Sequence, residues 1–479
     1  MRNLLVEALF ILLSLPLHRR DAVSLSQDLS EGRLTAVELM TATLDRIEAI
    51  NPTFHAIIAQ APRDILLQQA SQADKSPRKG WLHGIPIAIK DLSNAQGFPT
   101  TLGGSPLADP NVLATTSDPF VQRLVNSGAM VIGKTNSPES GLGSHTFNHL
   151  WGTTPNPYNT SCSAGGSSGG AAVALATGML AVADGSDMMG SLRNPAGWNH
   201  LYSLRPTAGV LECVPNELLD YPISTVGPMA RTVQDLRAMY ETMVEPRRRG
   251  KKETIKENYR IAWLGSWGLP MEEGITKLCE ETLVRFQEQY SKVRIDDLSD
   301  KCIYPMDALW MSWTDIRSAL VSRETLASHG MKAVLGSSCR VRKELQWEVQ
   351  RGLEMSKDQL SRATTVANEF SRHLFTNVFT DYDVLALPTA QVWPFPKEWA
   401  YPEAIGSRGM DTYHRWMQVV VPASLAGLPV LTVPAGFNEN GLPMGIQFVG
   451  QRGRDNQLLD LAKAFESAVT FSSAFQLKL

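Results

Sequence analysis

The chain has 479 residues, of which 43% are hydrophobic and 19% are charged, and 45 Lys and Arg against 48 Asp and Glu give a net charge of −3. This composition excludes a disordered or fibrous chain. It also argues against a nucleic-acid partner, because proteins that bind DNA or RNA usually carry a basic excess. The five cysteines contain no CxxC pair and the nine histidines no HExxH motif. The sequence therefore predicts neither a disulfide framework nor a metal site, in keeping with a reducing compartment.

The amino-terminal segment, residues 1–21, has two interpretations. Its apolar run from Leu4 to Leu17 has the length of a signal-peptide hydrophobic region, but His18-Arg19-Arg20 follows in place of a small-residue cleavage site. The segment is an export or anchoring signal, an extra first helix of a cytoplasmic protein, or an upstream extension of the reading frame, and we favour the two interpretations without export. No other stretch approaches the length needed to span a bilayer.

The first part of the chain alternates predicted helices and strands. A helix over Thr35–Ile50 begins with a capping box of Thr35 and Glu38, and Asn51-Pro52 is expected to end it. The next predicted elements are a polar loop (73–80), a buried strand ending on a lysine (Pro86–Lys90), a helix starting at Asp118-Pro119 and ending near Gly128, and a strand (Met130–Lys134). This order indicates α/β layering.

The middle of the chain is rich in small and polar residues. A long loop is predicted from Thr135 to Gly170, and a charged, solvated surface loop over Pro246–Glu257. Between them we expect a helix (Ala171–Gly178), a short strand (Leu180–Ala183) and a turn (Asp184–Asp187).

The last part of the chain is predicted to be helical and then to return to strands. Residues 300–416 have a helical pattern and contain six of the eleven tryptophans. The predicted elements that complete the chain are strands at Asp383–Leu387, Pro429–Phe437 and Pro443–Val449, a turn at Asn438–Gly441, and a helix that begins near Asp455. Because no linker is long enough to separate domains, we predict one domain over residues 22–479, in which 300–416 is a helical insertion.

Three features could carry chemistry when they are taken together. They are Lys90 at a strand end, the glycine and serine run 165–170, and Gly190-Ser191-Leu192-Arg193. Singly, each has an ordinary interpretation: a first solvated loop residue, a flexible connection and a helix N-cap. A serine needs a base to become a nucleophile, and a desolvated lysine supplies one without histidine. Glycines let backbone N–H groups converge on an anion.

This set of residues resembles the amidase signature family of Ser-cisSer-Lys hydrolases. The matching segments are 84–91, 133–139, 165–170, 185–193, 204–207 and 442–447, and 24 residues separate Ser167 from Ser191, as in the family. The resemblance covers roughly residues 25–470. It implies an α/β fold, with a single large domain in which a mixed β-sheet core is sandwiched between layers of helices.

The resemblance implies a role for each matched residue. Ser191 is the expected nucleophile, Ser167 the bridging serine after a cis Gly166–Ser167 peptide bond, and Lys90 the base that accepts a proton through Ser167. The expected oxyanion hole consists of the backbone N–H groups of Met188, Met189, Gly190 and Ser191. Hydrogen bonds that support these loops are expected from Ser168, Asp187 and Arg193.

The activity that the resemblance implies is hydrolysis of a small-molecule carboxylic acid amide through a serine acyl-enzyme, without metal or cofactor. The helical insertion 300–416 would shape the acyl site. An alternative stays open, in which the chain is the partner-dependent amidase subunit of a tRNA amidotransferase or a catalytically impaired member. The sequence does not determine the oligomeric state, and a homodimer stays open as well.

Two features bear on the substrate. The family usually has Gly-Gly before the nucleophile, whereas this chain has Met189-Gly190 with Met188 before them. The methionines either alter the path of the oxyanion loop or narrow the pocket in favour of flexible apolar acyl groups. A set of tryptophans could line the acyl pocket, although core or lid packing is the interpretation we favour: Trp310, Trp313, Trp393, Trp399 and Trp416.

Overall fold

The computed structural model of the protein describes residues 15–211, 216, 218–248, 256, 258–471 and 477. Most of the apolar run Leu4–Leu17 therefore lies outside the described residues, as does most of the charged stretch 246–257. A 3₁₀ turn at Leu17–Arg19 precedes the first α-helix. Within the described ranges, no helix combines the length and the hydrophobicity of a membrane span.

The strands build one large sheet, one small sheet and two short hairpins. In chain order they are β1 (Ile57–Ile58), β2 (Pro86–Lys90), β3 (Met130–Thr135), β4 (Phe147–Asn148), β5 (Gly152–Thr153), β6 (Val182–Asp187), β7 (Tyr202–Arg205), β8 (Thr225–Ala230), β9 (Tyr259–Trp263), β10 (Val293–Asp297), β11 (Val384–Pro388), β12 (Ala404–Ile405), β13 (Arg408–Gly409), β14 (Val430–Phe437) and β15 (Pro443–Gly450). The predicted strands at β2, β3, β11, β14 and β15 are confirmed.

The large sheet has eight strands in the order β10-β9-β11-β15-β14-β7-β8-β6. Strand β9 pairs in parallel with β10 and β11, and the other neighbours are antiparallel. The small sheet has the order β1-β3-β2. Its strand β2 lies beside β6, the edge strand of the large sheet, where the Lys90 N–H donates to the Asp184 carboxylate over 3.1 Å. The two sheets therefore meet at Lys90.

Helices flank the sheets. They are α1 (Ala22–Ser30), α2 (Ala36–Phe54), α3 (Arg63–Lys75), α4 (Pro119–Asn126), α5 (Gly169–Ala176), α6 (Arg193–Trp198), α7 (Val233–Met243), α8 (Ile275–Gln289), α9 (Met306–His329), α10 (Met331–Leu335), α11 (Lys343–Glu354), α12 (Lys357–His373), α13 (Val421–Leu425) and α14 (Asp455–Ala468). The main core packs α7, α8 and α14 against the large sheet, and a second core joins α2, α3 and α5 to the small sheet. The predicted α/β fold with a mixed sheet is confirmed.

Helix α2 starts as predicted and ends later. The Glu38 N–H donates to Thr35 Oγ1 over 3.1 Å and the Thr35 N–H donates to the Glu38 carboxylate over 2.8 Å, which completes the capping box. The predicted stop at Asn51-Pro52 is wrong, because α2 continues to Phe54. The Asn51 side chain makes three hydrogen bonds to the backbone of Ala56 and Ile57, which hold the last turn against the following strand.

Two further predictions about local structure are wrong. The predicted polar loop 73–80 begins inside α3, which continues to Lys75 because Leu66 and Ala70 bury one face of the helix. The predicted turn at Asp184–Asp187 belongs to strand β6, which pairs with β8 over its whole length. Gly, Ser and Asp are uncommon in strands. Here both aspartates have buried partners, namely the Lys90 N–H for Asp184 and Arg193 for Asp187.

The segment 300–416 contributes helices and three strands, of which β12 and β13 form a short hairpin. Helices α9 to α12 occupy its first part, as the helical pattern predicts, and β11 then enters the large sheet between β9 and β15. Of the five tryptophans named above, Trp310, Trp313 and Trp416 are buried in the core. Packing is therefore the main role of these three, as favoured from the sequence, whereas Trp399 is 53% exposed.

Candidate active site

Lys90 lies at the end of β2 and is fully buried. Its Nζ lies 2.8 Å from Ser167 Oγ, 2.8 Å from Ser168 Oγ and 2.9 Å from Ser186 Oγ. Strand β6 supplies Ser186, and the loop that leads into α5 supplies Ser167 and Ser168. The structure thus brings the predicted lysine and bridging serine into direct contact.

The loop before α5 requires glycine for close packing. A Cβ on Gly165, whose φ is +78°, would lie 2.4 Å from Asn194 Oδ1. The following Gly166–Ser167 peptide bond is cis, as the family resemblance implies. The Ser144 hydroxyl donates to the Gly166 carbonyl over 2.6 Å. These contacts fix the position of Ser167 opposite Lys90.

The loop between β6 and α6 is held by a buried ion pair. Arg193 donates from Nε and Nη2 to both Asp187 carboxylate oxygens over 3.0 and 2.9 Å, and neither side chain is exposed. Asp187 also accepts the N–H groups of Gly190 and Leu192. Burial alone would raise the pKa of Asp187, but Arg193 and then Arg205 hold it well below its usual range. Asp187 therefore stays ionised and organises the loop on both sides of Ser191.

Ser191 lies in this loop with 7% of its surface exposed. It lines a cavity of about 390 Å³ that Ser167 and Ser186 also line. In the described part of the chain, no hydrogen bond joins the hydroxyls of Ser191 and Ser167, and the Ser191 side chain has no protein partner. The predicted nucleophile thus lines the same cavity as the predicted bridging serine, and its oxygen is accessible from that cavity.

The predicted oxyanion donors differ in their availability. The Gly190 N–H donates to Asp187 Oδ1 over 2.8 Å and is therefore engaged. Among described residues, no acceptor within the protein takes up the N–H groups of Met188, Met189 and Ser191. The positive φ of this loop falls on Gly190, at +86°, and neither methionine has a positive φ. The methionines are therefore compatible with the backbone of the loop.

Met188 and Met189 both line the cavity. The Trp313 Nε1–H, on α9, donates to Met189 Sδ over 3.2 Å. This contact ties the loop before Ser191 to the helix whose other residues, Arg317 and Val321 among them, form a cavity wall. None of the five tryptophans named above is among the residues that line the cavity.

Burial lowers the pKa of Lys90 to about 7, against the opposing negative charges of Asp184 and Asp187. A buried ammonium loses hydration, so its neutral form is favoured. A substantial fraction of Lys90 is therefore a neutral amine near pH 7, and a neutral amine can accept a proton from a hydroxyl.

Sequence reasoning missed Ser186 and Asp184 as neighbours of Lys90. Both were assigned to a turn, whereas in strand β6 they point to the same face because side chains alternate along a strand. Recognising the two-residue alternation of Asp184 and Ser186 would have placed them together.

We expect Arg193→Ala to lower the free energy of unfolding by about 3–5 kcal/mol, because it removes the bidentate partner of a buried carboxylate and leaves Arg205, at 3.5 Å, as the remaining cation beside it. Denaturant unfolding measures this loss. Arg237→Ala is the control, since its ion pair with Asp460 is partly exposed, with side-chain exposures of 28% and 26%, and should contribute far less. Equal losses in the two variants would contradict this account of the loop.

The chain is similar to known proteins over most of its length. The family model "Amidase" matches residues 38–459. An acylamidase of Rhodococcus erythropolis is 31% identical over 94% of this chain and 96% of its own length. A glutamyl-tRNA(Gln) amidotransferase subunit of Chloroflexus aurantiacus is also 31% identical, over the same shares.

Among solved structures, a bacterial aryl acylamidase of the amidase signature enzymes superposes with a TM-score of 0.85, covering 97% of this chain and 99% of its own. It is 24% identical, so this likeness concerns the fold. The family model and the curated relatives cover most of the chain, and the motifs that carry the resemblance surround the buried lysine and the cavity. The chain therefore belongs to the amidase signature family of hydrolases that act on C–N bonds.

Proposed function

We propose that the protein hydrolyses a small carboxylic acid amide through an acyl-enzyme on Ser191, with Ser167 and Lys90 as its proton relay. The observation that carries the proposal is the 2.8 Å contact between Lys90 Nζ and Ser167 Oγ, at the edge of the cavity that Ser191 lines. A fully buried lysine beside a hydroxyl is the arrangement that a histidine-free serine hydrolase needs.

The hydrogen bonds around Lys90 support its role as the base. A neutral amine has two N–H donors and one lone pair. The Ser168 hydroxyl donates to the Ser186 carbonyl over 3.4 Å, so it accepts from Lys90. If the second N–H of Lys90 donates to Ser186 Oγ, the lone pair of Lys90 can accept the hydroxyl proton of Ser167.

Acylation then proceeds in one concerted relay. Lys90 takes the proton of Ser167 while Ser167 takes that of Ser191, and the Ser191 oxygen forms a bond to the amide carbonyl carbon. The resulting oxyanion would be stabilised by the N–H groups of Met188, Met189 and Ser191, since donors of this kind contribute about a hundredfold or more to the rate. As the C–N bond breaks, the relay runs backwards and protonates the leaving amine.

Deacylation uses the same groups with water in place of Ser191. Water gives a proton through the relay to Lys90 as its oxygen attacks the ester carbonyl. The ester C–O bond then breaks, and the proton returns to Ser191. The carboxylic acid leaves and the starting state is restored.

The cavity favours an apolar acyl group. Its volume of about 390 Å³ suits a small molecule. Apolar side chains supply much of its wall, namely Leu92, Leu102, Leu107, Leu142, Met188, Met189, Val321, Leu345 and Met417. Arg317, Glu324 and His329 also line the cavity, and Glu348 and Tyr413 engage the Arg317 guanidinium. We therefore propose linear aliphatic and aryl amides as the substrate class.

A substrate panel tests the proposed function. The purified chain is incubated with aliphatic, aryl and charged amides, and the released amine is measured. We expect turnover of apolar acyl amides and covalent labelling of Ser191 by a serine-directed fluorophosphonate. No turnover across the panel, with no labelling, would contradict the proposal.

A second candidate function is favoured by the 31% identity to the amidotransferase protein of Chloroflexus aurantiacus. In that case the chain would act only with partner chains. It would be inactive alone toward the panel and would gain amide hydrolysis when the partner chains of a tRNA amidotransferase are added.

The rate should rise with pH in a way that follows Lys90. Because its pKa is lowered to about 7 and the neutral amine is the base, kcat/KM should fall about tenfold per pH unit below that value and level off above it. A profile of kcat/KM between about pH 6 and pH 9 measures this. A flat or falling profile would exclude Lys90 as the base.

A further inference from the structure

Asp184 is a buried carboxylate beside Lys90 that the relay does not use. Only 1% of its surface is exposed, and its two oxygens accept the Lys90 N–H over 3.1 and 3.3 Å. Ser186, two residues along β6 on the same face, touches the other end of Lys90 at Nζ. The carboxylate therefore lies at the backbone end of Lys90 and Ser186 at its amine end, with about 7 Å between the Cα atoms of Asp184 and Ser186.

Three buried carboxylates, Asp91, Asp184 and Asp187, lie on or beside the two strands that meet at Lys90, and two of them are already paired. Asp187 on β6 binds Arg193 and lies 3.5 Å from Arg205 on β7. Asp91, which follows β2, lies 4.0 Å from Lys134 on β3. Asp184 has no cation within 4.0 Å in the described part of the chain. Asp184 is therefore the one of these three carboxylates whose charge is not neutralised by direct contact with a cation.

Without a nearby negative charge, a fully buried lysine would lose its proton well below neutral pH and become a weak base. We propose that Asp184 is a positioning residue of the relay, whose buried carboxylate fixes the charge state of Lys90 from the backbone end of that residue. This inference rests on the proposed function for its catalytic consequence. The effect of Asp184 on the protonation of Lys90 does not depend on the proposed function.

The pKa values agree with this arrangement. Burial raises the pKa of Asp184 to about 6, against the opposing effects of the Lys90 N–H and of the Lys134 and Lys90 charges. The pKa of Lys90 is about 7. Asp184 is therefore largely ionised over the pH range in which Lys90 titrates.

Asp184→Asn tests the inference, because asparagine keeps an acceptor for the Lys90 N–H and removes the charge. A unit charge about 7 Å away, at an effective dielectric constant of about 20, should shift the titration of Lys90 by about one to two pH units. Removing a negative charge disfavours the ammonium, so the shift is to lower pH. We expect the rising limb of kcat/KM to move down by that amount and the plateau to fall severalfold, since the base is weaker.

Asp235→Asn is the matched control. Asp235 is also fully buried and accepts two backbone N–H groups, from Ala22 and Val23, but it lies on α7 and is not among the groups that face Lys90. In Asp235→Asn, the rising limb of kcat/KM should lie at the same pH as in the wild-type chain. An unmoved limb in folded Asp184→Asn, or an equal shift in Asp235→Asn, would overturn the inference.

A direct titration separates this inference from the proposed function. The ¹³Cε resonance of Lys90, assigned by its loss in Lys90→Ala, reports its protonation without substrate. If the chain hydrolyses no amide but the resonance titrates at lower pH in Asp184→Asn, the inference stands and the function fails. If Asp184→Asn does not fold, the ¹³Cγ resonance of Asp184 in the wild-type chain tests the inference, because it reports whether this carboxylate is protonated. An Asp184 that is protonated over the pH range in which Lys90 titrates would overturn the inference.

Discussion

Ser191→Ala is expected to lower kcat/KM for any amide that the protein hydrolyses by about 10⁴-fold or more, because a methyl group cannot form the acyl-enzyme. The substitution removes one oxygen that has no protein hydrogen bond among the described residues. It should therefore leave the free energy of unfolding nearly unchanged. Amine release under single-turnover conditions and denaturant unfolding measure the two quantities.

A second serine provides the control for Ser191. Ser76 lies in an exposed segment beyond α3, and Ser76→Ala should keep full activity and full reactivity with a fluorophosphonate. Ser191→Ala should abolish that labelling. Residual labelling of a folded Ser191→Ala chain would show that another residue is the nucleophile.

Lys90→Ala should lower kcat by about 10²–10⁴-fold, the range that a general base contributes. Its three hydroxyl partners, Ser167, Ser168 and Ser186, would lose their shared contact, so some loss of stability is also expected. The variant should in addition lose the rise of the rate near pH 7, which a purely structural change would leave in place.

Lys79→Ala is the matched control for Lys90. Lys79 is exposed, and its removal should change neither the rate nor the pH profile. Equal losses in Lys79→Ala and Lys90→Ala would remove the reason to assign the base to Lys90. A full loss of rate in Lys90→Ala that small added amines restore would support the assignment further.

The sequence predicted those parts of the fold whose signals are local. The capping box of Thr35 and Glu38 and the apolar strand 86–90 depend on neighbours within a few residues. The second part of strand β6, Asp184–Asp187, was missed because its residues have the composition of a turn, whereas the predicted strand Leu180–Ala183 overlaps its first two residues. Only partners from elsewhere in the chain, such as Arg193 and the Lys90 backbone, make the aspartates of β6 acceptable in a sheet.

In the candidate site, too, the residues in sequence motifs were predicted, and a contact between distant parts of the chain was not. Lys90, Ser167 and Ser191 were predicted through an ordered set of motifs, and the structure places all three at one cavity or its edge. The contact of Trp313 with Met189 joins residues 124 positions apart. No local pattern indicates such a pair, because it depends on how α9 packs against the loop before Ser191.

The anchoring of Arg193 has a consequence for biosynthesis. Besides Asp187, its guanidinium donates to the Val420 carbonyl, to Ser424 Oγ and to Gln447 Oε1. These acceptors lie 227 to 254 positions beyond Arg193 in the chain, so a ribosome that has delivered the segment around Ser191 must still add them. A nascent or prematurely terminated chain that ends before these acceptors therefore lacks the clamp on the loop that carries Ser191, and the proposed amide hydrolysis should arise only after they have been added.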